Sequence, residues 1–431
     1  MNNTLSPAAQ PVQVDRDLVY EKAPVEHDTP QAGLKPLRLD LYRPAVDGAP
    51  AGGRPALILS HGGAYHRGSK EEDLFEQDGC RNTAMAEYAQ RFAARGFVCV
   101  SVGYRLAQEL PAPQAQPIKR ERSGINRDRI DYVRQLMGLP PATDADLLNA
   151  AEGAIEDVVA AFRFVQANAA AWGVDPQRIV LGGFSAGAFA SVYAAYALGM
   201  PAAAVVALSG GMDAADAAHY LHDGRGQPPL LAYVGEHDLP AIPERTQALL
   251  QHADRCGVPT RCYTVPARPH FYDRSSPVVL AQGTLPGAPE RGTVESVLTA
   301  FLDQVLQPVT VSTATLDAFA QAWNRHDIDA LMSHMTDDCV FHTSAGAHAC
   351  GTSHVGREAV RAAFQRAWAD FPDAQWTRAV HWVAGHRGAS EWTFTGTRAR
   401  DGVRVVVDGC DLFSFRGDKI RVKDSWRKQL T

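Results

Sequence analysis

The sequence of 431 residues lacks the features that several protein classes require. Its seven cysteines are scattered, odd in number and without a C-x-x-C pair, which argues against a disulfide framework and favours a reducing compartment. Its apolar runs are short and interrupted, so no transmembrane helix is expected. The first residues show no basic segment followed by the apolar core of a secretory signal. These absences predict a cytoplasmic protein that has no membrane partner.

The chain also lacks a strong charge of either sign. Its 42 Lys and Arg residues against 48 Asp and Glu residues give a formal net charge of -6 at pH 7, which provides no basic surface for nucleic acid. Hydrophobic residues make up 45% and charged residues 21%, as is typical of a globular protein. Because 431 residues exceed one ordinary core, we expect two or three domains and no nucleic-acid partner.

Strand-like and helical runs alternate from about residue 37 onward. Short apolar runs such as ALILSHGG and FVCVSVGYR are typical of strands covered on both faces, and helical runs separate them. This alternation predicts an α/β fold with a mainly parallel sheet flanked by helices. The run LRLDLYRP, which ends at Pro44, predicts a strand near a sheet edge. Residues 1–34 are expected to form a loosely held N-terminal arm.

The pattern changes near residues 307–313. Helical segments followed by strands with two-residue periodicity predict a separate α+β domain. The expected organisation is therefore an α/β domain over residues 35–308 and an α+β domain over residues 313–431. Within the first domain, residues 106–149 are proline-rich at both ends, and a connection of this length is typical of a lid or binding loop.

Six basic residues cluster inside the 106–149 segment. They alternate with acidic residues, so we interpret the cluster as a solvated helix face rather than an anion-binding patch. The six are Lys119, Arg120, Arg122, Arg127, Arg129 and Arg134.

The stretch LGGFSAGAFA places one serine, Ser185, between Gly183 and Gly187. In the G-x-S-x-G nucleophile elbow, a strained strand-to-helix turn lifts the serine hydroxyl above the end of a sheet. The string alone is common, but here an apolar run precedes it and a small-residue helical run follows, as the motif requires. Ser185 is therefore the candidate nucleophile. The alternative is a small residue that permits tight strand–helix packing.

Two partners for Ser185 follow in the chain. Asp238 ends the run PLLAYVGEHD, and His270 lies in the loop PARPHFYD after the next predicted strand. Loops at the carboxyl ends of parallel strands converge, so these residues can meet, with His270 as general base and Asp238 as its orienting carboxylate. The alternative for Asp238 is a helix N-cap. His252 is the other histidine after Asp238 in this domain, and it falls within a predicted helix.

The stretch SHGGAY, Ser60 to Tyr65, directly follows a buried strand. Glycines there let the backbone approach a ligand and turn its N–H groups toward a developing oxyanion. We interpret His61 as a structural hydrogen-bonding residue of this loop rather than a proton shuttle.

These motifs in this order resemble the alpha/beta-hydrolase superfamily, and within it the hormone-sensitive-lipase and carboxylesterase group, whose relatives include kynurenine formamidases. The resemblance covers roughly residues 35–307. It implies an oxyanion hole formed by the N–H groups of Gly63, Ala64 and Ala186, with Gly62 as the turn that aims them. Two positions depart from the family patterns, because Ala64 replaces a lipase glycine and Tyr65 replaces the tryptophan of the formamidase HGGxW pattern.

The resemblance implies a carboxylesterase-like serine hydrolase. It would cleave a small or medium-sized carboxylic ester through an acyl-enzyme on Ser185 and would need no cofactor. Three alternatives stay open: an amidase of the kynurenine-formamidase type, a C-terminal isomerase or cyclase with an ancillary hydrolase, and a catalytically silent hydrolase fold.

The C-terminal part contains, in order, the runs GREAVRAAFQRAWADFPDAQW, EWTFTGT and DLFSFRGDKIRVKDSW. These runs resemble the SnoaL-like polyketide-cyclase group, which has the cone-shaped α+β fold of nuclear-transport-factor-2-like proteins. The resemblance covers most of residues 313–428. In KIRVKDSW, strand alternation would place Asp424 on one face with apolar neighbours. A carboxylate facing a cone interior has a raised pKa, so Asp424 is a candidate acid or base, with His342 as its partner. The alternatives are ligand binding without catalysis and a homodimer through this domain.

Histidines are frequent in the C-terminal part. Neither an H-x-x-x-H nor a C-x-x-C pair is present there, so we expect no metal site. The residues concerned are His326, His334, His342, His348, His354, His381 and His386, with Cys350 among them.

Overall fold

The computed structural model describes residues 10–46, 48–50, 52–114, 116–120, 127–221, 227–347 and 351–428. The chain divides into two compact units, Met1–Leu302 and Asp303–Thr431. Three residues singled out in the sequence, Arg122, His348 and Cys350, lie outside the described residues.

The first unit contains a large sheet and its flanking helices. Its strands are β1 (Val12–Val25), β2 (Gly33–Pro44), β3 (Arg54–Ser60), β4 (Glu76–Gln77), β5 (Cys80–Arg81), β6 (Val98–Val102), β7 (Val174–Phe184), β8 (Ala204–Leu208), β9 (Leu230–Gly235), β10 (Thr260–Val265), β11 (Pro277–Gly283) and β12 (Arg291–Thr293). Its helices are α1 (Met85–Ala93), α2 (Arg127–Leu136), α3 (Asp144–Ala167), α4 (Ala169–Trp172), α5 (Ala186–Tyr196), α6 (Ala214–Tyr220), α7 (Ala241–Arg255) and α8 (Val294–Val305), with a 3-10 turn at Ala107–Glu109.

Ten of these strands form one sheet in the order β1-β2-β6-β3-β7-β8-β9-β10-β11-β12. The six strands from β6 to β10 run parallel, and the two strands at each edge are antiparallel to their neighbours. The short strands β6 and β8 are buried at every position, which is why they appear as continuous apolar runs. The predicted α/β fold with a mainly parallel sheet is confirmed.

The first strand corrects the expectation of a loose arm. Residues 12–25 form β1, which pairs with β2 from Val12 opposite Pro44 to Val25 opposite Gly33. Its alternation is interrupted by two register shifts, and few of its side chains are buried, so the sequence pattern resembles a loop. Tyr20 anchors it, because its hydroxyl donates to the Gly103 carbonyl at 2.9 Å. Residues 1–9 of the expected arm lie outside the described residues.

The basic cluster of the 106–149 segment is not uniformly solvated. Lys119 and Arg134 are buried, so the interpretation as a solvated helix face is wrong for both. Arg134 donates to the Pro140 carbonyl at 2.6 Å and contacts His66 Nε2 at 2.8 Å. Buried cations need such partners, and an acidic-basic alternation in the sequence does not reveal them.

The second unit is an α+β domain. Its helices are α9 (Thr313–Asn324), α10 (Ile328–Ser333) and α11 (Arg357–Asp370), and its strands are β13 (Met335–His342), β14 (Ser353–Val355), β15 (Gln375–Ala384), β16 (Arg387–Thr397), β17 (Arg404–Arg416) and β18 (Lys419–Arg427). The six strands form a sheet in the order β14-β13-β18-β17-β16-β15, in which only β13 and β18 are parallel neighbours. One apolar core includes Phe319, Phe364 and Phe413.

Pairing between β17 and β18 corrects the predicted face of Asp424. Phe413 in the core is opposite Lys423, whereas Leu412, which is 38% exposed, is opposite Asp424. The ladder skips Arg421 between two paired positions, and a one-residue slip moves every following side chain to the other face. Lys423 therefore shares the core face, while Asp424 is buried on the opposite one.

Candidate active site

Ser185 stands at the corner between β7 and α5. Its backbone has a φ of 50° and a ψ of −117°, a region that non-glycine residues rarely occupy. The strained turn is held on both sides, because Ser185 N–H donates to the Leu208 carbonyl at 2.8 Å and Phe189 N–H donates to the Ser185 carbonyl at 3.0 Å. This is the geometry of a nucleophile elbow.

The two motif glycines are required by close backbone approach. A Cβ atom at position 187 would lie 2.1 Å from the Ser60 carbonyl oxygen, and one at position 183 would lie 2.6 Å from the same atom. No side chain fits at these distances. The end of β3 thus packs directly against the corner that carries Ser185.

The structure brings Ser185, His270 and Asp238 together. His270 Nε2 lies 2.9 Å from Ser185 Oγ, and His270 Nδ1 lies 2.6 Å from Asp238 Oδ1. The three residues follow the carboxyl ends of β7, β10 and β9, which are parallel strands of one sheet. With the imidazole proton on Nδ1, Nε2 is free to accept the serine proton.

Asp238 is fixed by more than the histidine. Its side chain is fully buried, and its Oδ2 accepts from Ser209 Oγ at 2.6 Å and from Gly235 N–H at 3.1 Å, while Oδ1 also accepts from Leu239 N–H at 2.8 Å. Burial alone would raise the pKa of Asp238, but the hydrogen bonds from His270, Ser209 and Gly235 outweigh it and hold this pKa below its usual value. The carboxylate therefore stays ionised.

Ser209 was not anticipated from the sequence. It follows β8 with a φ of 51°, and its hydroxyl lies between Asp238 and the hydroxyl of Tyr272, 2.9 Å away. Burial raises the pKa of Tyr272 well above its usual value, so this hydroxyl keeps its proton. The position of Ser209 at the carboxyl end of a buried parallel strand is the signal that could have identified it.

The SHGGAY loop supplies backbone N–H groups beside Ser185. Gly63, Ala64 and Tyr65 have φ values of 112°, 55° and 59°, so three successive residues adopt left-handed backbone. Within the described chain, no hydrogen bond occupies the N–H groups of Gly63 and Ala64. Ala186 opens α5, where the first-turn N–H groups have no partner within the helix.

Gly62 differs from the other predicted oxyanion residues. Its predicted role is the turn that aims the donors, and its own N–H donates to Asp73 Oδ2 at 3.1 Å, so this N–H is not available to a ligand. Asp73 Oδ1 accepts from Met85 N–H at 2.7 Å, which ties the loop to the start of α1. Burial raises the pKa of Asp73 to about 6. A Cβ atom at position 62 would lie 2.7 Å from Cδ1 of the Phe184 ring, so the position requires glycine.

His61 holds the loop from inside. Burial lowers its pKa to about 4, so the ring is neutral near pH 7. The ring stacks on Tyr104 at a centroid distance of 4.0 Å, its Nδ1 lies 2.7 Å from the Gly62 carbonyl oxygen, and the Tyr104 hydroxyl donates to the His61 carbonyl at 2.9 Å. These contacts are structural.

The second unit has a cavity of about 380 Å³ on the core face of its sheet. Lys423 lies in its wall and is buried, with Nζ 2.6 Å from both Asp411 Oδ1 and Ser425 Oγ. The ammonium group also lies 4.9 Å from the ring centroid of Phe341 and 5.6 Å from that of Trp323. The Lys423 ammonium group, paired with a carboxylate and surrounded by aromatic rings, is therefore a polar group that a ligand in this cavity can contact.

The predicted pair Asp424 and His342 does not line this cavity. The two residues are opposite each other in the β13–β18 ladder, on the face away from Phe341, and His342 Nδ1 contacts Ser353 Oγ at 2.9 Å. Within the described residues, no group of three His, Cys, Asp or Glu side chains could hold a metal ion.

Two family models match the chain. Residues 316–422 match the SnoaL-like domain, and residues 148–204, which include the elbow, match BD-FAE. The chain joins an alpha/beta-hydrolase domain to a SnoaL-like domain. The first unit is called the hydrolase domain below, and the second the SnoaL-like domain.

Solved structures resemble each domain separately. Esterase 2 of Thermogutta terrifontis, phosphorylated by paraoxon, is 20% identical and covers 61% of this chain and 85% of its own, with a TM-score of 0.40. A candidate polyketide cyclase of Xanthomonas campestris pv. campestris is 22% identical and covers 26% of this chain and 87% of its own, with a TM-score of 0.24. No curated protein sequence matches the chain.

A cavity of about 100 Å³ lies beside Ser185 in the hydrolase domain. Its wall is mostly apolar, with a few polar side chains. The lining residues include Ile130, Leu147, Leu148, Ala151, Ile155, Phe189, Leu239 and Ile242.

Among the helices of the described residues, none combines the length and apolar character that a membrane crossing requires.

Proposed function

We propose that this protein is a serine hydrolase that cleaves a carboxylic ester through an acyl-enzyme on Ser185. The observation that carries the proposal is the contact of His270 with both Ser185 and the buried Asp238, above a strained elbow. The BD-FAE match over the elbow region supports the same chemistry.

The reaction would proceed in two acyl transfers. His270 Nε2 takes the Ser185 proton as Oγ attacks the ester carbonyl, and then returns this proton to the departing alkoxide. Water next attacks the acyl-enzyme and loses a proton to His270, which passes this proton to Ser185 Oγ as the acid departs. Asp238 stays ionised throughout and stabilises the imidazolium.

The oxyanion would be bound by backbone N–H groups of Gly63, Ala64 and Ala186. Each such donor lowers the barrier by about 3 kcal/mol. The start of α5 adds the positive end of its helix dipole at the same place.

Labelling by a fluorophosphonate probe tests the proposal directly. The probe should modify the wild-type chain at Ser185 and leave Ser185→Ala unmodified. A wild-type chain that stays unmodified would indicate a silent fold. Parallel assays with an aryl ester and N-formylkynurenine separate the esterase from the amidase alternative.

A second function concerns the SnoaL-like domain. We infer that it binds a small aromatic molecule, because its cavity combines several aromatic rings with the buried Lys423 ammonium. Acid–base catalysis by Asp424 and His342 is not favoured, since both lie on the other face.

The aromatic anion 2-naphthoate can test this binding in the full chain. Titration should quench tryptophan fluorescence in the wild type and in Lys22→Met, an exposed control, and more weakly in Lys423→Met. Equal quenching in all three proteins would contradict the assignment.

A further inference from the structure

The cavity beside Ser185 ends in a buried ionic network. Lys119 Nζ contacts Asp213 Oδ2 and lies 3.0 Å from the Tyr193 hydroxyl, which in turn lies 2.5 Å from Asp216 Oδ2. Arg245 Nε donates to Asp213 Oδ1 at 2.5 Å. All of these residues but Arg245 are buried, and Lys119, Asp213 and Arg245 line the cavity, most of whose other lining side chains are apolar.

Asp213 remains ionised in this network. Burial alone would raise its pKa, but Lys119 and Arg245 on its two oxygen atoms outweigh that effect and hold its pKa below the usual value. Lys119 is satisfied by Asp213 and Tyr193, with Asp216 3.9 Å away. Its ammonium group therefore has little capacity left for a ligand.

Arg245 keeps donors for a ligand. Its Nε is engaged by Asp213, whereas its two terminal nitrogens form no hydrogen bond with the described part of the chain. The guanidinium lies 5.5 Å from the ring centroid of Phe189, which restrains its orientation. Tyr65 lines the same cavity, and its hydroxyl likewise meets no acceptor among the described residues.

These donors surround a space bounded by apolar side chains. A guanidinium presents two parallel N–H groups, which match the two oxygens of a carboxylate. A neutral alkyl group in the same place would leave those donors desolvated and without an acceptor. Arg129 adds a further positive charge to the wall. The cavity of about 100 Å³ admits a group of only a few non-hydrogen atoms.

We propose that the substrate is an ester that carries a carboxylate, and that Arg245 and Tyr65 bind this carboxylate in the cavity beside Ser185. The inference rests on the proposed hydrolase function and names the substrate class for that site. The carboxylate belongs either to the acyl group or to the alcohol group, and two pairs of substrates distinguish these sources.

The first pair is ethyl hydrogen succinate and ethyl butyrate, in which a carboxylate replaces a methyl group on the acyl side. The second is acetoxyacetate and ethyl acetate, which differ in the same way on the alcohol side. The measured quantity is the ratio of kcat/KM for the anionic ester to that for the neutral ester. In the wild type, one pair should give a ratio of at least about 10.

Arg245→Gln should lower that ratio by about 30-fold, because the charge and the two-nitrogen fork are lost. The variant should fold, since Asp213 keeps its contact with Lys119. Arg255→Gln, an exposed arginine on the same helix α7, is the matched control and should leave the ratio unchanged. Tyr65→Phe removes only a hydroxyl and should lower the ratio by about tenfold, which keeps the test valid if Arg245→Gln misfolds.

The outcomes separate the inference from the proposed function. Neutral esters cleaved by a Ser185-dependent enzyme, with ratios near one that Arg245→Gln does not change, would overturn the inference and leave the hydrolase function in place. If neither pair is cleaved and the fluorophosphonate probe does not react, both are overturned.

Discussion

Each of the two domains contains a histidine whose two ring nitrogens lie close to a serine on one side and an aspartate on the other. In the hydrolase domain these residues are Ser185, His270 and Asp238, called the hydrolase relay here. In the SnoaL-like domain they are Ser390, His381 and Asp317, called the cone relay here. Ser390 Oγ lies 2.6 Å from His381 Nδ1, and His381 Nε2 lies 3.2 Å from Asp317 Oδ1 without hydrogen-bond geometry. The same three residue types thus occur twice, in different backbone settings.

The two relays differ in the backbone conformation around the serine. Ser185 occupies a strained elbow directly before the N-terminus of α5, whereas Ser390 lies within β16, opposite His381 in the ladder with β15. Side chains of directly opposite residues are neighbours in any antiparallel sheet, so the contact of Ser390 with His381 follows from strand pairing alone. A serine on a ladder has no adjacent helix start whose N–H groups could bind an oxyanion.

The carboxylates differ as well. Asp238 is fully buried and accepts from three groups besides the histidine, whereas the side chain of Asp317 is 59% exposed. A solvated carboxylate holds an imidazole weakly, because water competes for it and salt screens it. A serine, a histidine and an aspartate that contact one another in this order therefore do not by themselves define a catalytic site. The comparison of the two relays can be tested residue by residue.

Replacement of the two serines should have the largest and most unequal effects. Ser185→Ala should reduce kcat for ethyl butyrate by at least about 10⁴-fold, since the proposed nucleophile is lost. Ser390→Ala should change kcat by less than about twofold, because strand pairing rather than catalysis explains its contact. Steady-state rates and circular dichroism of both variants check this. A large loss in Ser390→Ala with an intact fold would break the comparison.

Replacement of the two aspartates tests the comparison of the relays further. Asp238→Asn should lower kcat by about 10³- to 10⁴-fold, because the amide favours the wrong imidazole tautomer. Asp317→Asn is the matched control, and its kcat should stay close to that of the wild type. Equal effects of the two substitutions would show that burial of the carboxylate is not what distinguishes the relays.

Ser209→Ala should have a smaller effect. It removes one hydrogen bond to Asp238 and should lower kcat by about 30-fold with little change in KM, because Ser209 positions the relay through Asp238. Tyr272→Phe removes the contact with Ser209 but none with Asp238, so its loss should be smaller. A larger loss in Tyr272→Phe would assign the positioning role to the tyrosine.

Much of the hydrolase site could be predicted from the sequence because its residues follow buried parallel strands. The apolar runs locate the strand ends, and topology then brings Ser185, Asp238 and His270 to one edge. Their catalytic roles stay predictions. The bond from Gly62 N–H to Asp73 could not be predicted, since Asp73 lies eleven residues away in a polar loop with no regular pattern.

The SnoaL-like domain was harder to predict at the level of single residues. Its fold class followed from the periodicity, but the cavity residue did not, because the skipped position at Arg421 exchanges the faces of Lys423 and Asp424. A bulge has no reliable signature in one sequence. The cluster around Arg245 was missed for a related reason, since Lys119 and Asp213 are distant in the chain and meet only through packing.

The smallest effect concerns pH and the loop histidine of the hydrolase domain. Burial lowers the pKa of His61 from the ordinary value of 6.5 to about 4. The unfolded chain therefore binds more protons than the folded one between pH 6.5 and pH 4, so the free energy of unfolding decreases as pH falls through this range. Between pH 7 and pH 5 this contribution is about 1–2 kcal/mol.

Urea unfolding followed by circular dichroism at pH 7 and pH 5 measures this contribution as the difference between the wild type and His61→Gln. The variant should lose less stability on acidification, even though it is less stable at pH 7. Asp73, whose raised pKa of about 6 acts in the opposite direction, is present in both proteins and cancels in the difference. Equal pH dependence in the two proteins would mean that His61 is not held neutral by burial.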